Sequence, residues 1–388
     1  MKHTSKGLYL LLVLLAAGGC AQTKQATSTT PAATAAASTP AAPSTAAAAP
    51  TPAAPAQTPP RGQQVGEVRP MSNITVHDPV MAKQGNTYYL FSTGNGISVW
   101  SSTDMQNWKM EAPVFASAPE WATKAVAGFR NNHIWAPDIS FYNGKYYLYY
   151  SISAFGKNTS AIGVATNTTL DPQNPNFKWV DHGKVIESVP GQTNWNAIDP
   201  NIITDKNGTA WMSFGSFWGG LKLVKMSKDR LSVAEDISKI PTIASRKKGL
   251  TLQTNPAPLP GNPAEAGGNA IEAPFIFEKN GYYYLFASID YCCKGANSDY
   301  KMIVGRSKTV QGPYLDKKGV AMDAGGGTIL LEGNENWNGV GHNSVYTFDK
   351  TDYIIFHGYD AAQNGRPKLR VEKLAWDKDQ WPIVALAQ

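Results

Sequence analysis

Three acidic side chains stand at comparable places in this sequence: Asp78 in His77-Asp78-Pro79, Asp199 in Ile198-Asp199-Pro200 and Glu272 in Ile271-Glu272-Ala273-Pro274. Trp135, before Ala136-Pro137, and His342, before Asn343-Ser344, fall in the same register. Carboxylates gathered without basic partners repel one another and lose solvation, so a fold does not collect them for stability. One Asp-Pro alone would read as a turn or strand-start cap. Three acids in equivalent places read as a site. Two carboxyls, one protonated and one ionised, flanking a glycosidic bond perform glycoside hydrolysis, and a third acid can hold up the pKa of the proton donor. Metal binding is the rival use of the same acids.

A repeat must position these residues. A short apolar stretch, a turn and a Tyr-rich strand recur five times, from Asp78-Pro79-Val80-Met81, Ala136-Pro137-Asp138-Ile139, Asp199-Pro200-Asn201-Ile202, Glu272-Ala273-Pro274-Phe275 and His342-Asn343-Ser344-Val345. Asn143-Gly144, Asn207-Gly208 and Asn280-Gly281 are hairpin signals, and each hairpin is followed by a further strand. Several strands per unit, without a competing long amphipathic helix, predict an all-β five-bladed β-propeller rather than a sandwich or β-helix. Counting nine residues back from Gly144, Gly208, Gly281 and Thr351, and seven from Gly85, gives Trp135, Asp199, Glu272, His342 and Asp78. Inner strands of a propeller surround a channel, so these five form one ring. Asp138, three residues beyond the ring position, is excluded from that layer.

The composition agrees with a β-rich fold: 11% aromatic, 16% charged, with 17 Tyr and 11 Trp in 388 residues. The flat faces of Tyr and Trp also suit sugar rings. The net charge of +6 does not signal nucleic-acid binding, because Lys2, Lys6, Lys24 and Arg61 place most of it before residue 66 and no basic stripe follows. Lys2 and Lys6 precede an apolar run, Leu8 to Leu15, too short to span a bilayer. It reads as an export signal. Ala16-Ala17-Gly18-Gly19-Cys20 resembles a bacterial lipobox in which Cys20 is lipidated, so residues 1–20 read as a lipoprotein signal peptide. The alternative is ordinary signal cleavage with an incidental Cys. With no Asp after Cys20, the pattern resembles outer-membrane sorting. Residues 21–64, rich in Ala, Pro and Thr, cannot bury enough surface to order and form a spacer; residues 65–388 form one catalytic domain.

Taken together, His77-Asp78-Pro79, Trp135-Ala136-Pro137-Asp138, Trp195-Asn196-Ala197-Ile198-Asp199-Pro200, Phe214-Gly215-Ser216-Phe217-Trp218-Gly219-Gly220, Ile271-Glu272-Ala273-Pro274 and Gly341-His342-Asn343-Ser344 resemble the motif set of glycoside hydrolase family 43, most closely its endo-α-1,5-L-arabinanases. The resemblance covers residues 71–388. It implies a five-bladed propeller, an inverting mechanism and arabinan or arabino-oligosaccharides as substrate. It makes Asp78 the general base, Glu272 the general acid and Asp199 the acid that tunes and orients Glu272. It associates His342 with a central ion, usually calcium, held largely through water in a structural or electrostatic role; a hydrogen-bonded channel His is the alternative. It places His77, Asn196 and Ser216 close to the sugar at the cleavage point. Trp135 and Phe155 are candidates for stacking on arabinose. Cys292-Cys293 matches a paired-Cys stretch in related arabinanases and forms either a vicinal disulfide or two buried thiols.

A propeller end presents a groove rather than a pit. The chain ends soon after the fifth blade, without the C-terminal β-sandwich of many exo-acting members, which points to endo action by a monomer. Exo-acting arabinanase, arabinofuranosidase or β-xylosidase chemistry, and a non-catalytic sugar-binding propeller, are the alternatives. An anchored, exported enzyme would keep its oligosaccharides near the bacterial outer membrane or cell surface.

Overall fold

A computed structural model describes residues 64–247 and 268–386. The leader, Cys20 and nearly all of the spacer lie outside them. Residues 61–388 form one compact unit. The five predicted hairpins are the inner two strands of five antiparallel sheets. The innermost strands are Val80–Gln84, His133–Tyr142, Asn201–Thr204, Ile271–Lys279 and Trp337–Phe348. Their partners are Thr87–Ser92, Lys145–Ile152, Ala210–Phe214, Tyr282–Ile289 and Thr351–Asp360. A third strand follows in each blade: Ser98–Ser102, Ser160–Asn167, Leu221–Lys225, Lys301–Ser307 and Arg366–Lys373. Blades 1 to 4 add outer strands, the outermost of blade 1 being Val68–Pro70 from the start of the unit.

Local sequence accounts for the hairpins. Asn143-Gly144 and Asn280-Gly281 occupy two-residue loops with positive φ at both residues, the geometry that matches strand twist. Asp349-Lys350 makes the same turn with φ of 50° and 68°. The hairpin of blade 3 is longer. Its pairing closes at Thr204 and Ala210, and Asp205 holds the loop by accepting the Asn207 and Thr209 amides.

Blades pack face to face, which explains why the Tyr-rich strands are apolar on both faces. Five apolar clusters fill the five junctions. The last joins blade 5 to blade 1, with Phe348, Ile355 and Leu369 against Met81, Leu90, Trp100 and Trp108. Hydrogen bonds complete this closure. Leu369 N–H donates to Ile74 O, Arg366 Nε to Thr75 Oγ1 at 2.7 Å, and Ser344 Oγ to Pro79 O at 2.9 Å. Asp138 braces another junction, accepting the Ile202 amide at 2.8 Å and Asn201 Nδ2 at 3.3 Å; burial pushes its carboxyl up to about 7. It is structural, as its exclusion from the ring anticipates.

Candidate active site

Each blade holds one residue in the left-handed region, two positions before the inner strand in blades 1 and 3 and at an irregularity of its ladder in blades 2, 4 and 5: Asp78 (φ 54°), Ala136 (41°), Asp199 (57°), Ala273 (54°) and His342 (53°). Non-glycine residues held there cost about 1–3 kcal/mol each and persist only where their surroundings fix them. These five are the true equivalents, and this corrects the expected register. Asp78, Asp199 and His342 hold the ring position, whereas Trp135 and Glu272 each precede it by one residue. Pairing agrees, since Trp135 faces Ser151, Glu272 faces Ser288 and Gly341 faces His357. The slip arises because the landmark glycines occupy different places in hairpin loops of unequal length.

The amide of each left-handed residue points out of its own ladder and is received by a neighbouring side chain. Ala136 N–H donates to Thr93 Oγ1 (2.8 Å), Asp199 N–H to Ser151 Oγ (3.1 Å), Ala273 N–H to Asp199 Oδ2 (3.1 Å), His342 N–H to Ser288 Oγ (2.8 Å) and Asp78 N–H to His357 Nδ1 (3.2 Å). Four of the acceptors, Thr93, Ser151, Ser288 and His357, occupy one position at the end of each hairpin's second strand. In blade 3 that position is Gly215, at φ 125°, where a Cβ would lie 2.9 Å from Gly220 O. With no side chain there, the Asp199 carboxylate takes the amide itself and is tied to the residue after Glu272.

The three acids and His342 interact at the centre of this ring. His342 Nδ1 lies 2.9 Å from Asp78 Oδ1, and Thr93 Oγ1 donates to Asp78 Oδ2. Burial works to raise the Asp78 pKa. The charge and hydrogen bond of His342, with His357 and His77 nearby, outweigh it and hold the carboxyl well below the usual range. His342 is opposed by burial but raised to about 9, chiefly by Asp78 and Asp199. Glu272 accepts from Ser216 Oγ at 2.8 Å and Tyr300 OH at 2.7 Å. Burial nevertheless pushes its carboxyl up, helped by the charge of Asp78. Asp199 is pushed up to about 8 by burial, against His342 and with the charges of Glu272 and Asp78. The site therefore sets one carboxylate that favours its ionised form, Asp78, beside two acids whose hold on a proton burial strengthens.

The other predicted residues divide. His77 joins the site, its ring 4.5 Å from His357 and 5.7 Å from Tyr359. Ser216 binds Glu272 directly. Trp135 is half-buried, and its Nε1–H donates to His133 Nδ1 at 2.8 Å, leaving it on the channel wall. Asn196 is 3% exposed, and its Oδ1 has no hydrogen-bond partner among the described residues. Phe155, just beyond Lys145–Ile152, is 66% exposed. Cys292 and Cys293 are joined in a disulfide; Cys293 N–H donates to Tyr359 OH at 2.8 Å.

Tyr300, His357, Thr93 and Tyr359 escaped the sequence reading. A signal existed for two of them: counted from the first residue of the hairpin's second strand, Thr93 and His357 are each seventh, as are Ser151 and Ser288, while Gly215 is sixth.

A cation could be accommodated. His77, Asp78 and His357 each bring one possible ligand atom within 4.8 Å of the others. His357 Nδ1, however, receives the Asp78 amide, and His342 Nδ1 is turned to Asp78. His342 would therefore present Nε2. Calcium takes about six to eight oxygen ligands, and of these residues only Asp78 brings oxygen, so an ion here would draw most of its ligands from water.

The sequence matches the profile described as Glycosyl hydrolases family 43 over residues 68–382. The chain is 50% identical over 311 residues, 80% of its length and 86% of the relative's, to an extracellular exo-α-(1→5)-L-arabinofuranosidase of Cellvibrio japonicus. It is 42% identical over 315 residues, 80% of its length and 88% of the relative's, to an extracellular endo-α-(1→5)-L-arabinanase of Bacillus subtilis. Among solved structures, a Cellvibrio cellulosa α-L-arabinanase complexed with arabinohexaose matches with a TM-score of 0.75 and 50% identity, covering 80% of this chain and 96% of that one. The chain belongs to glycosyl hydrolases family 43 and is a glycoside hydrolase, built as a five-bladed propeller.

Proposed function

We propose that this chain is an inverting hydrolase that cleaves internal α-1,5-L-arabinofuranosidic bonds of arabinan. The observation that carries the reading is the different setting of the three buried acids: Asp78 against His342, Glu272 held by Ser216 and Tyr300, and Asp199 on the Ala273 amide. Asp78, ionised beside His342, can take a proton from water as that water attacks the anomeric carbon. Glu272, whose hold on a proton burial strengthens, can deliver that proton to the departing glycosidic oxygen. Asp199 is the proposed acid that orients Glu272, holding the chain next to it through the Ala273 amide. Ser216 and Tyr300 orient the Glu272 carboxyl. His77, Trp135, Asn196 and Phe155 are the proposed sugar contacts.

His342 is the proposed anchor of a calcium ion, which would supply positive charge at the centre of the acid ring. Export, lipid attachment at Cys20 behind the spacer, residence at the outer membrane or cell surface and action as a monomer belong to the same proposal. The two curated relatives are named extracellular, which supports export.

A second reading, exo action, is favoured by the 50% identical relative, which is named an exo-arabinofuranosidase. The time course of products from linear α-1,5-arabinan separates the two. A rapid fall in viscosity with mixed oligosaccharides is the expected result. One short product from the first turnover assigns exo action. No cleavage of arabinan overturns both.

A further inference from the structure

The ring of inter-blade hydrogen bonds contains one substitution that packing does not explain. At the position where blades 1, 2 and 4 use Thr93, Ser151 and Ser288, blade 5 places His357. A hydroxyl does this work in the other blades at 2.8–3.1 Å. His357 does it from a fully buried place, 0% exposed, with its second ring nitrogen lacking any hydrogen-bond partner among the described residues. Because Nδ1 accepts the Asp78 amide, the ring proton is on Nε2, a buried donor left unmet. Such an orphan costs about 1–3 kcal/mol. A purely structural position would be better served by serine.

The imidazole does two things a serine could not. It lies against Tyr300, ring centroids 5.9 Å apart and 25° from parallel. Tyr300 OH donates to Glu272 Oε1 at 2.7 Å. It also packs on His77 and edge-on to Tyr359. One rigid ring thus touches the backbone of Asp78 on one side and the tyrosine that orients Glu272 on the other.

We propose that His357 is a positioning residue that fixes Asp78 relative to Glu272, through the hydrogen bond from the Asp78 amide to Nδ1 and the stack on Tyr300. The inference rests on Asp78 and Glu272 acting as base and acid. Displacing a reacting group by about 1 Å can cost roughly 100-fold in rate. The test measures kcat, KM and Tm of the whole chain on linear arabino-oligosaccharides.

His357→Phe keeps an aromatic ring and removes the acceptor. His357→Ser keeps the acceptor used by blades 2 and 4 and leaves a cavity. Phe should lower kcat by about 100-fold with KM within about threefold, while Ser stays at least tenfold faster than Phe although its Tm is lower. A packing role demands the opposite order, with activity following Tm, and that outcome, or wild-type kcat in the Phe variant, overturns the proposal. Should Phe fail to fold, His357→Asn, which offers an amide oxygen near the place of Nδ1, must exceed His357→Leu by the same tenfold margin; equal rates overturn it. An unaltered chain inert on all arabino-oligosaccharides removes the acid–base assignment and the inference together. An active chain indifferent to the acceptor removes the inference alone.

Discussion

Replacing Tyr300 by Phe deletes a single oxygen from a fully buried side chain, one that lies 2.7 Å from Glu272 Oε1. That hydroxyl is a donor, so it stabilises the ionised carboxylate and pulls the Glu272 pKa down against burial. A hydrogen bond to a charged group contributes about 1.5–3 kcal/mol, which at 1.36 kcal/mol per pH unit is roughly one to two units of pKa. Ser216 still donates to Oε2, so the lower end applies and the change should be about one unit upward. Glu272 must be protonated to act as acid. The alkaline limb of the kcat/KM profile, which reports the free enzyme, should therefore move up by about one pH unit in Tyr300→Phe. The limb belongs to the Glu272–Asp199 pair, and the Tyr300 hydroxyl acts on it through Glu272. The assay is initial rate at low substrate from pH 5 to 10, with the Tm followed at each pH. An alkaline limb that stays in place or moves down, in a variant that remains folded, refutes the assignment of Glu272 as the acid tuned by Tyr300.

Other outcomes follow from the same geometry. Glu272→Ala should abolish cleavage of the polymer yet retain far more activity on an aryl arabinofuranoside whose leaving group needs no protonation; equal loss on both removes Glu272 as the acid. Asp199→Asn should stabilise the fold increasingly as pH rises. The wild-type carboxyl titrates near 8 folded and near 3.8 unfolded, so the stability its proton confers is complete below pH 4 and is lost between about pH 4 and 8. The Tm difference, variant minus wild type, should grow across that window and level off above it, and a flat difference contradicts the pKa assignment. His342→Ala should release calcium, measured as metal content per chain after dialysis, and abolish any rise in Tm on adding calcium. Unchanged content rejects His342 as the anchor.

The blade count and the hairpins were legible because the physics is local. Asn-Gly turns and runs such as Tyr282–Leu285, apolar on both faces, admit few other structures. Asp78, Asp199 and His342 were placed by the same repeat. In blades 2 and 4 the count came out one residue early, at Trp135 and Glu272, because spacing was measured from loop glycines, and loop length varies: two residues in blade 4, five in blade 3. The left-handed residue is the invariant landmark, and a sequence does not print φ. Tyr300 was hidden for another reason. It is one of 17 tyrosines, just before a third strand, and only the packing of blade 4 against blade 5 turns its hydroxyl to Glu272. His357 was visible in principle, as the one imidazole at a position otherwise filled by Thr, Ser and Gly.

The seam between blades 5 and 1 governs when the protein can finish folding. Thr75 and Arg366 are 291 positions apart in the chain, yet the circle closes only when they meet. A ribosome adds about 5–20 residues per second, so the first blade waits roughly 15–60 seconds for its last neighbour to be made. During that interval the faces of Met81, Leu90 and Trp100 that await blade 5 have no native cover. The segment Met71–Val76 thus works as a latch whose keeper is synthesised last, and truncating the chain before Trp337 should leave four blades that cannot shut into a ring.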